Sequence, residues 1–241
     1  MKTLLRPWWN TLVELLYPSH CFGCGRAVEE GRTLCSSCAG RVRCIRPPYC
    51  AVCSRPFPGS AEVVPRCPNC EDHTFAFESA VAVVQAQGLA RELIHRFKYQ
   101  RQFHLRRLLG TWLLAGFSDP RLEAEPVDAM VPVPLHPVRL RERGYNQAEA
   151  LASVVSRHAG VPVTPCLQRV RYTLTQTRFD RVQRRRNLRG AFALRKNMGI
   201  TGKRLLLIDD VLTTGSTLHE CAAVLLDHGA QSVRALTVAR G

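Results

Sequence analysis

The chain has 241 residues, 46% of them apolar, which suffices for one domain with a sizeable core and a smaller second unit. Its 34 basic residues, 30 of them arginine, outnumber 19 acidic ones and give a net charge of +15, so anionic partners such as phosphate ligands or nucleic acid are expected. No window approaches the roughly 20 consecutive apolar residues of a membrane-spanning helix, which excludes one.

Leu4-Leu5, Trp8-Trp9, Leu12-Val13 and Leu15-Leu16 predict an amphipathic helix over residues 1–19. Arg6, Pro7 and Glu14 interrupt it and no small-residue cleavage site follows, so it reads as a helix packing on its own protein rather than a signal peptide. Association with a membrane surface is the alternative.

Nine of the 11 cysteines lie in the first 70 residues, and eight of these form Cys-x-x-Cys pairs: Cys21/Cys24, Cys35/Cys38, Cys50/Cys53 and Cys67/Cys70. Two intervening residues let both sulfurs of a pair face one metal, and two pairs complete a tetrahedral Zn²⁺ site. The spacings suit two consecutive zinc ribbons over residues 20–75. A cross-brace, or metal at one site only, stays open. A segment this rich in Pro, Gly, Arg and Cys has little apolar material for a core, and metal supplies the missing folding energy. Cys44 reads as a small buried apolar residue. His20 and His73 read as surface histidines beside the ligand pairs.

A second domain is expected over 76–241, carrying most of the positive charge: net +12, against +3 for residues 1–75. Ala80–Val84 predicts its first strand. Leu89, Leu93, Ile94 and Phe97 predict a helix with His95, Arg96 and Lys98 on its other faces, and a second helix follows around Leu105–Leu114. Residues 118–126, with Asp119-Pro120, read as a loop. A strand at Ala129–Pro134 runs into a Pro-rich turn, then Arg139, Arg141, Arg143, Gly144, Asn146 and Gln147 open a helix reaching about Arg157. Three arginines on alternating residues suit bidentate contact with phosphate oxygens, a solvated basic turn being the alternative. Residues 161–168 suggest another strand. Arg169–Arg189 then holds eight arginines against one acid, Asp180, a density that predicts a mobile loop or hairpin without an anion. Ala191–Leu194 suggests an edge strand, and Val233–Val238 a strand that closes the sheet.

The most informative stretch is Leu205–Thr217. Four apolar residues predict a strand buried on both faces, which stops at Asp209-Asp210, passes through a hydroxyl-rich turn around Gly215 and enters a helix marked by Leu218, Cys221, Ala222 and Leu225. Strand, turn and helix aim the first-turn amides and the hydroxyls of Thr213, Thr214, Ser216 and Thr217 at one point, where a phosphate binds. The two carboxylates need another partner, ribose hydroxyls or hydrated Mg²⁺. A ligand carrying both groups is a sugar phosphate. Neither the Walker pattern nor the Gly-x-Gly-x-x-Gly turn is present.

This stretch resembles the signature of type I phosphoribosyltransferases, which bind 5-phosphoribosyl diphosphate (PRPP). The resemblance implies a Rossmann-like α/β fold, a mostly parallel sheet with helices on both faces. It assigns Asp209 and Asp210 to the ribose hydroxyls, Thr213, Thr214, Gly215, Ser216 and Thr217 to the 5-phosphate, and Mg²⁺ to the bound PRPP. It makes Arg139, Arg141, Arg143, Asn146 and Gln147 the diphosphate loop, and residues 169–189, with Arg178, Arg184, Arg185 and Arg186, a hood closing over the ligand or contacting DNA. Thr213 stands where purine-base enzymes of this kind carry an aspartate general base, which argues against that particular chemistry.

Taken with the tandem cysteine pairs, Val133–Gln147 and the Gln176, Arg186-Asn187, Ala191-Phe192 series, nearly the whole chain is similar to the ComF/GntX family. That resemblance implies a cytoplasmic bacterial protein of natural competence that handles incoming single-stranded DNA, with competence helicase or channel proteins as partners. The alternative is an active phosphoribosyltransferase of nucleotide or nucleoside metabolism. Catalytic residues and the acceptor stay unassigned, and PRPP and DNA competing for the hood arginines is a third possibility.

Overall fold

A computed structural model describes residues 19–59, 66–172, 187–196 and 198–241. Arg178, Arg184, Arg185 and Arg186 of the expected hood, and all but the last residue of the expected N-terminal helix, lie outside the described residues.

The second domain is built from β1 (Ala80–Gln85), α1 (Gly88–Tyr99), α2 (Arg106–Phe117), β2 (Ala129–Pro132), α3 (Pro137–Arg143), α4 (Gln147–Ala159), β3 (Leu167–Arg169), β4 (Phe192–Leu194), β5 (Arg204–Leu212), α5 (Ser216–Asp227) and β6 (Ser232–Arg240). The main sheet has the order β1-β6-β5-β2, every neighbouring pair parallel. A separate antiparallel pair joins β3 to β4. Parallel strands need helical crossovers, so both faces are covered, and near-continuous apolar runs such as Leu205–Ile208 are what such a sheet demands.

Side-chain alternation along β5 divides the core in two. Leu206 and Ile208 join Val81, Leu236 and Val238 against α1, α2 and α4, through Leu93, Phe97, Leu109 and Leu151. Leu205 and Leu207 join Val131, Val233 and Ala235 against α5 and the β3–β4 pair, through Leu218, Leu225, Leu167 and Phe192. The first cysteine cluster adds Cys21 and Cys38 to one core, and the second adds all four of its cysteines to the other.

Four expectations are corrected. β6 does not close the sheet but lies inside it, every residue buried, because its polar members find carbonyl partners. Arg234 donates to Leu122 O and Glu125 O, each at 2.8 Å, and Thr237 Oγ1 to Val81 O at 3.2 Å. The expected loop over 118–126 contains a helical turn, Pro120–Glu123, which Asp119 caps by accepting from the Arg121 amide at 3.0 Å. The single helix expected after the Pro-rich turn is two, α3 and α4, divided at Gly144, whose φ of 81° ends α3 in a conformation disfavoured for residues with a Cβ. Cys44 is exposed, held in an isolated bridge to Val84.

Candidate functional site

At the C-terminal end of β5 the two acids point to opposite faces. Asp210 falls on the Leu206–Ile208 side, 6% exposed, and α1 brings Lys98 Nζ to 2.7 Å from its Oδ1. Burial works against the Lys98 ammonium, yet the adjoining Asp210 and Asp209 carboxylates outweigh it and raise its pKa. Asp209 is half-buried and accepts from the Asp210 amide at 2.8 Å. Burial, and then the neighbouring Asp210 charge, push its pKa up to about 7. The acids are therefore not equivalent: Asp210 is buried against the Lys98 ammonium, while Asp209 is half-buried with its pKa raised.

Beyond them the turn closes on itself. Thr214 Oγ1 lies 2.9 Å from Ser216 Oγ and accepts from the Ser216 amide at 3.4 Å. Gly215, at φ 83°, precedes the 12-residue α5 and provides no side-chain cap, so nothing of the capping residue competes with an anion for the first-turn amides. Glycine is needed here for a second reason, because a Cβ would lie 2.7 Å from Phe75 Cε1. Phe75 arrives from the segment following the second cysteine cluster. Next to it, the Ala76 amide donates to His219 Nδ1 at 3.0 Å, and Asn69 Nδ2 makes a long 3.5 Å contact with Thr214 O. A cavity of about 420 Å³ opens beside the turn, walled by Arg55, Asn69, Gln85, Gln87, Thr213 and Thr214. Arg240 also lines it, donating to Cys53 O and Leu212 O at 3.1 Å each.

The basic segment sits on the β2 side. In α3, Arg139 and Arg143 are one turn apart on a shared face, whereas Arg141, exposed, projects from another. The alternating spacing therefore does not aim three arginines at one ligand. Arg143 Nη1 donates to Gln147 Oε1 at 2.8 Å, and Gln147 is itself buried. Asn146 caps α4, accepting from the Ala148 amide at 3.1 Å and donating to Val133 O at 3.1 Å. Asn146 thus supports the backbone, whereas Gln147 positions Arg143. Sequence reasoning missed Lys98 as a partner of the acids, together with Asn69, Phe75 and Arg240 beneath the turn.

The cysteines form two separate groups, Cys21, Cys24, Cys35, Cys38 and Cys50, Cys53, Cys67, Cys70, all sulfurs of each within 4.8 Å of one another. The consecutive pairing is thus the one the chain adopts, and the cross-brace is not. A tetrahedron with Zn–S bonds of about 2.3 Å has edges of about 3.8 Å. Cys24 and Cys35 sulfurs are 3.8 Å apart, and Cys67 Sγ lies 3.5 Å from both Cys53 Sγ and Cys70 Sγ. Each cluster also receives a knuckle amide, Cys35 N to Cys21 Sγ at 3.3 Å and Cys67 N to Cys50 Sγ at 3.4 Å. Four crowded thiols do not ionise alike without a cation: the neighbouring Cys53 thiol draws Cys50 down to about 4, while burial pushes Cys70 up to about 12. Both donor sets fit structural zinc. His73 is not in either group; its ring packs edge-on against Phe75 and His219.

Residues 12–71 match the double zinc ribbon domain and residues 143–241 the phosphoribosyl transferase domain. Competence protein F of Haemophilus influenzae is 32% identical over 225 residues, covering 92% of this chain and 95% of that protein. The chain belongs to the competence protein F family. Other members resemble it over similar lengths. DNA utilization protein YhgH of Escherichia coli is 29% identical, covering 91% of this chain and 89% of that protein. Competence protein ComFC of Bacillus subtilis is 28% identical, covering 88% and 86%. This ComF-family chain thus pairs a ribbon bearing two four-cysteine metal sites with a phosphoribosyltransferase-type fold. Among the described residues, no helix is long and apolar enough to cross a membrane.

Proposed function

We propose that this ComF-family chain binds Mg²⁺-PRPP at the β5–α5 turn and acts in the cytoplasm in handling incoming single-stranded DNA. The observation that carries the reading is the turn itself: an uncapped helix start at left-handed Gly215 beside two inequivalent acids. Amides and hydroxyls of Thr213–Thr217 take the 5-phosphate, and Asp209 and Asp210 take the ribose hydroxyls. Arg139 and Arg143 face the diphosphate, whose oxygens bind Mg²⁺. Arg178 and Arg184–Arg186, which lie outside the described residues, are assigned by the resemblance to contacts with the ligand or DNA. The working domains are the ribbon, 20–75, and the ligand-binding unit, 76–241. Cysteine clusters built for metal fit a reducing compartment, and the names of the relatives supply the link to DNA and to competence helicase or channel partners.

One observation favours pentosyl transfer as a second reading. The 420 Å³ cavity beside Thr213 is walled by carboxamides and a guanidinium, donors and acceptors that suit the edge of a nucleobase or a small amine acceptor. Thr213 does not take a proton at neutral pH, so an acceptor that is already nucleophilic fits better than one that must be deprotonated.

Calorimetry with Mg²⁺-PRPP tests the first reading. Saturable heat is expected for the native chain and its loss for Asp209→Ala/Asp210→Ala; no heat from the folded native chain overturns it. Diphosphate release across a panel of bases and amines tests the second, and silence throughout rejects it.

A further inference from the structure

Three large aromatic side chains stand in solvent on one flank of the second domain: Tyr99 at 57% exposure, Phe103 at 40% and Tyr172 at 46%. They come from separate places in the chain, the last turn of α1, the 3-10 turn Phe103–Leu105 and the segment after β3. Each is accompanied by a guanidinium. Arg143 Cζ lies 5.0 Å from the Tyr99 ring centre, Arg106 Cζ 3.9 Å from that of Phe103, and Arg139 Cζ 5.8 Å from that of Tyr172.

Since Arg139 and Arg143 share one face of α3, the Tyr99 and Tyr172 pairs are joined through that helix. The Phe103 pair is joined to them through Tyr145, whose ring meets Phe103 edge-on at 4.9 Å and follows Arg143 by two residues. Histidines extend both tyrosine positions, His95 at 4.8 Å from Tyr99 and His136 at 5.1 Å from Tyr172.

A ring backed by a guanidinium on one side offers its remaining face and edge to another flat π-system, while the guanidinium offers fixed donors to an anion. Repeated along a surface, that combination matches a polymer with a flat base and a phosphate in every unit. A duplex already stacks its bases internally and gains little here. A lipid surface offers anions but no rings, and leaves the flat faces unused.

We infer that Tyr99, Phe103 and Tyr172, with Arg143, Arg106 and Arg139, form a stacking track for single-stranded DNA along the α3 flank. The inference rests on the reading that the chain handles single-stranded DNA, and it gives that role a surface among the described residues that shares only Tyr172 with the hood. The track runs over the two arginines proposed to face the PRPP diphosphate, so DNA and PRPP weaken each other's binding through Arg139 and Arg143.

The test is fluorescence anisotropy with a labelled oligo-dT strand, a length-matched abasic strand and anionic phosphatidylglycerol vesicles as a third arm. Proteins are the native chain, Tyr99→Ala/Tyr172→Ala and the rescue Tyr99→Phe/Tyr172→Phe, with melting curves confirming that each folds. Expected for the alanine pair is a loss of oligo-dT affinity of about tenfold or more with an unchanged salt slope, because rings and not charges are removed. The phenylalanine pair retains native affinity, and the abasic strand binds weakly and equally to all three. Unchanged oligo-dT binding by the alanine pair overturns the track while leaving DNA handling intact, as does abasic binding equal to oligo-dT. If the native chain binds vesicles but no strand, or no strand at all, DNA handling fails and the track fails with it.

Discussion

The two cysteine clusters share a ligand set and a spacing logic, yet the chain uses them differently. In the first, Cys24 is exposed and Cys35 half-exposed, and only Cys21 and Cys38 are buried in the core. Phe22 packs edge-on against His104 at 5.0 Å, and Arg96 Nη1 donates to Phe22 O at 2.7 Å. In the second, all four cysteines are buried and the surrounding backbone is tied into the sheet. Ser54 Oγ donates to Ala80 O at 2.9 Å and accepts from Ala82 N at 3.1 Å, the Ala80 amide donates to Val52 O at 2.8 Å, and Arg240 Nε reaches Cys53 O. The first cluster folds a peripheral module. The second is a foundation of the β1–β6 end of the sheet and, through Asn69 and Phe75, of the β5–α5 turn.

The largest effect that sharpens this contrast is loss of a ligand. Structural zinc contributes on the order of 10 kcal/mol to folding. Cys53→Ser is expected to lose the second metal, the cooperative melt of the ligand-binding unit and the heat of PRPP binding together. Cys24→Ser loses one zinc per chain by elemental analysis but retains that heat. Equal damage from both substitutions breaks the comparison.

Next is Lys98, which reaches the turn from the opposite face of the sheet, the face carrying the first cluster. Lys98→Met leaves Asp210 buried without its cation and is expected to cost about 3–5 kcal/mol in urea unfolding. Lys98→Met/Asp210→Asn recovers most of that stability without recovering PRPP affinity. A loss under about 1 kcal/mol for the single substitution means that the pair is not buried in solution.

Gly215→Ala follows. A left-handed φ forced on alanine costs about 1–3 kcal/mol, and the new Cβ displaces Phe75. Its effect is expected to shrink when combined with Phe75→Ala, a coupling that additive behaviour excludes. Asn69→Ala removes a long hydrogen bond, with an effect of about 0.5 kcal/mol on stability and a loss of PRPP affinity no more than a few-fold.

The smallest effect is on pH, and it comes from the two ends of β5 rather than from either cluster. Asp209 has its pKa raised to about 7, so the folded state holds its proton more tightly than the unfolded chain. Its stabilisation is complete below about pH 4 and fades as pH rises toward 7. Asp128 is the opposite case. Hydrogen bonds from Arg204, at 2.8 Å from the amide and 3.1 Å from the side chain, hold it down at about 2. Its contribution is present above about pH 4 and lost as pH falls toward 2. Asp209→Asn should flatten the decline of the ligand-free chain between about pH 4 and 7 while leaving the acid side unchanged.

Much of this was legible because it is local. Cys-x-x-Cys pairs announce their chemistry within four residues, and Leu205–Ile208 shows a doubly buried strand by its own composition. What escaped depends on partners distant in the chain. The period of α1 placed Lys98 off the apolar face but gave no sign that Asp210 would meet it. The interior position of β6 was hidden by Arg234, Thr237 and Arg240, which look solvent-facing until carbonyls at Leu122, Glu125, Val81 and Cys53 accept from them. The motif at Asn146 and Gln147 gave no sign that Asn146 would cap α4 and hold Val133 O, or that Gln147 would accept from Arg143. The arginine spacing misled for a geometric reason: alternation means one face on an extended segment, but residues 137–143 are helical, and there only Arg139 and Arg143 coincide.

The interior position of β6 also constrains how the molecule is made. Ala80 pairs with Ala235, so β1, synthesised early, has no neighbour in the sheet until residues more than 150 positions later leave the ribosome. Over that interval its apolar edge is open, and the second ribbon, which hydrogen-bonds both β1 and Arg240, has half of its seat missing. The second ribbon and the β5–α5 turn that rests on it therefore reach their final packing only after β6 has left the ribosome and inserted.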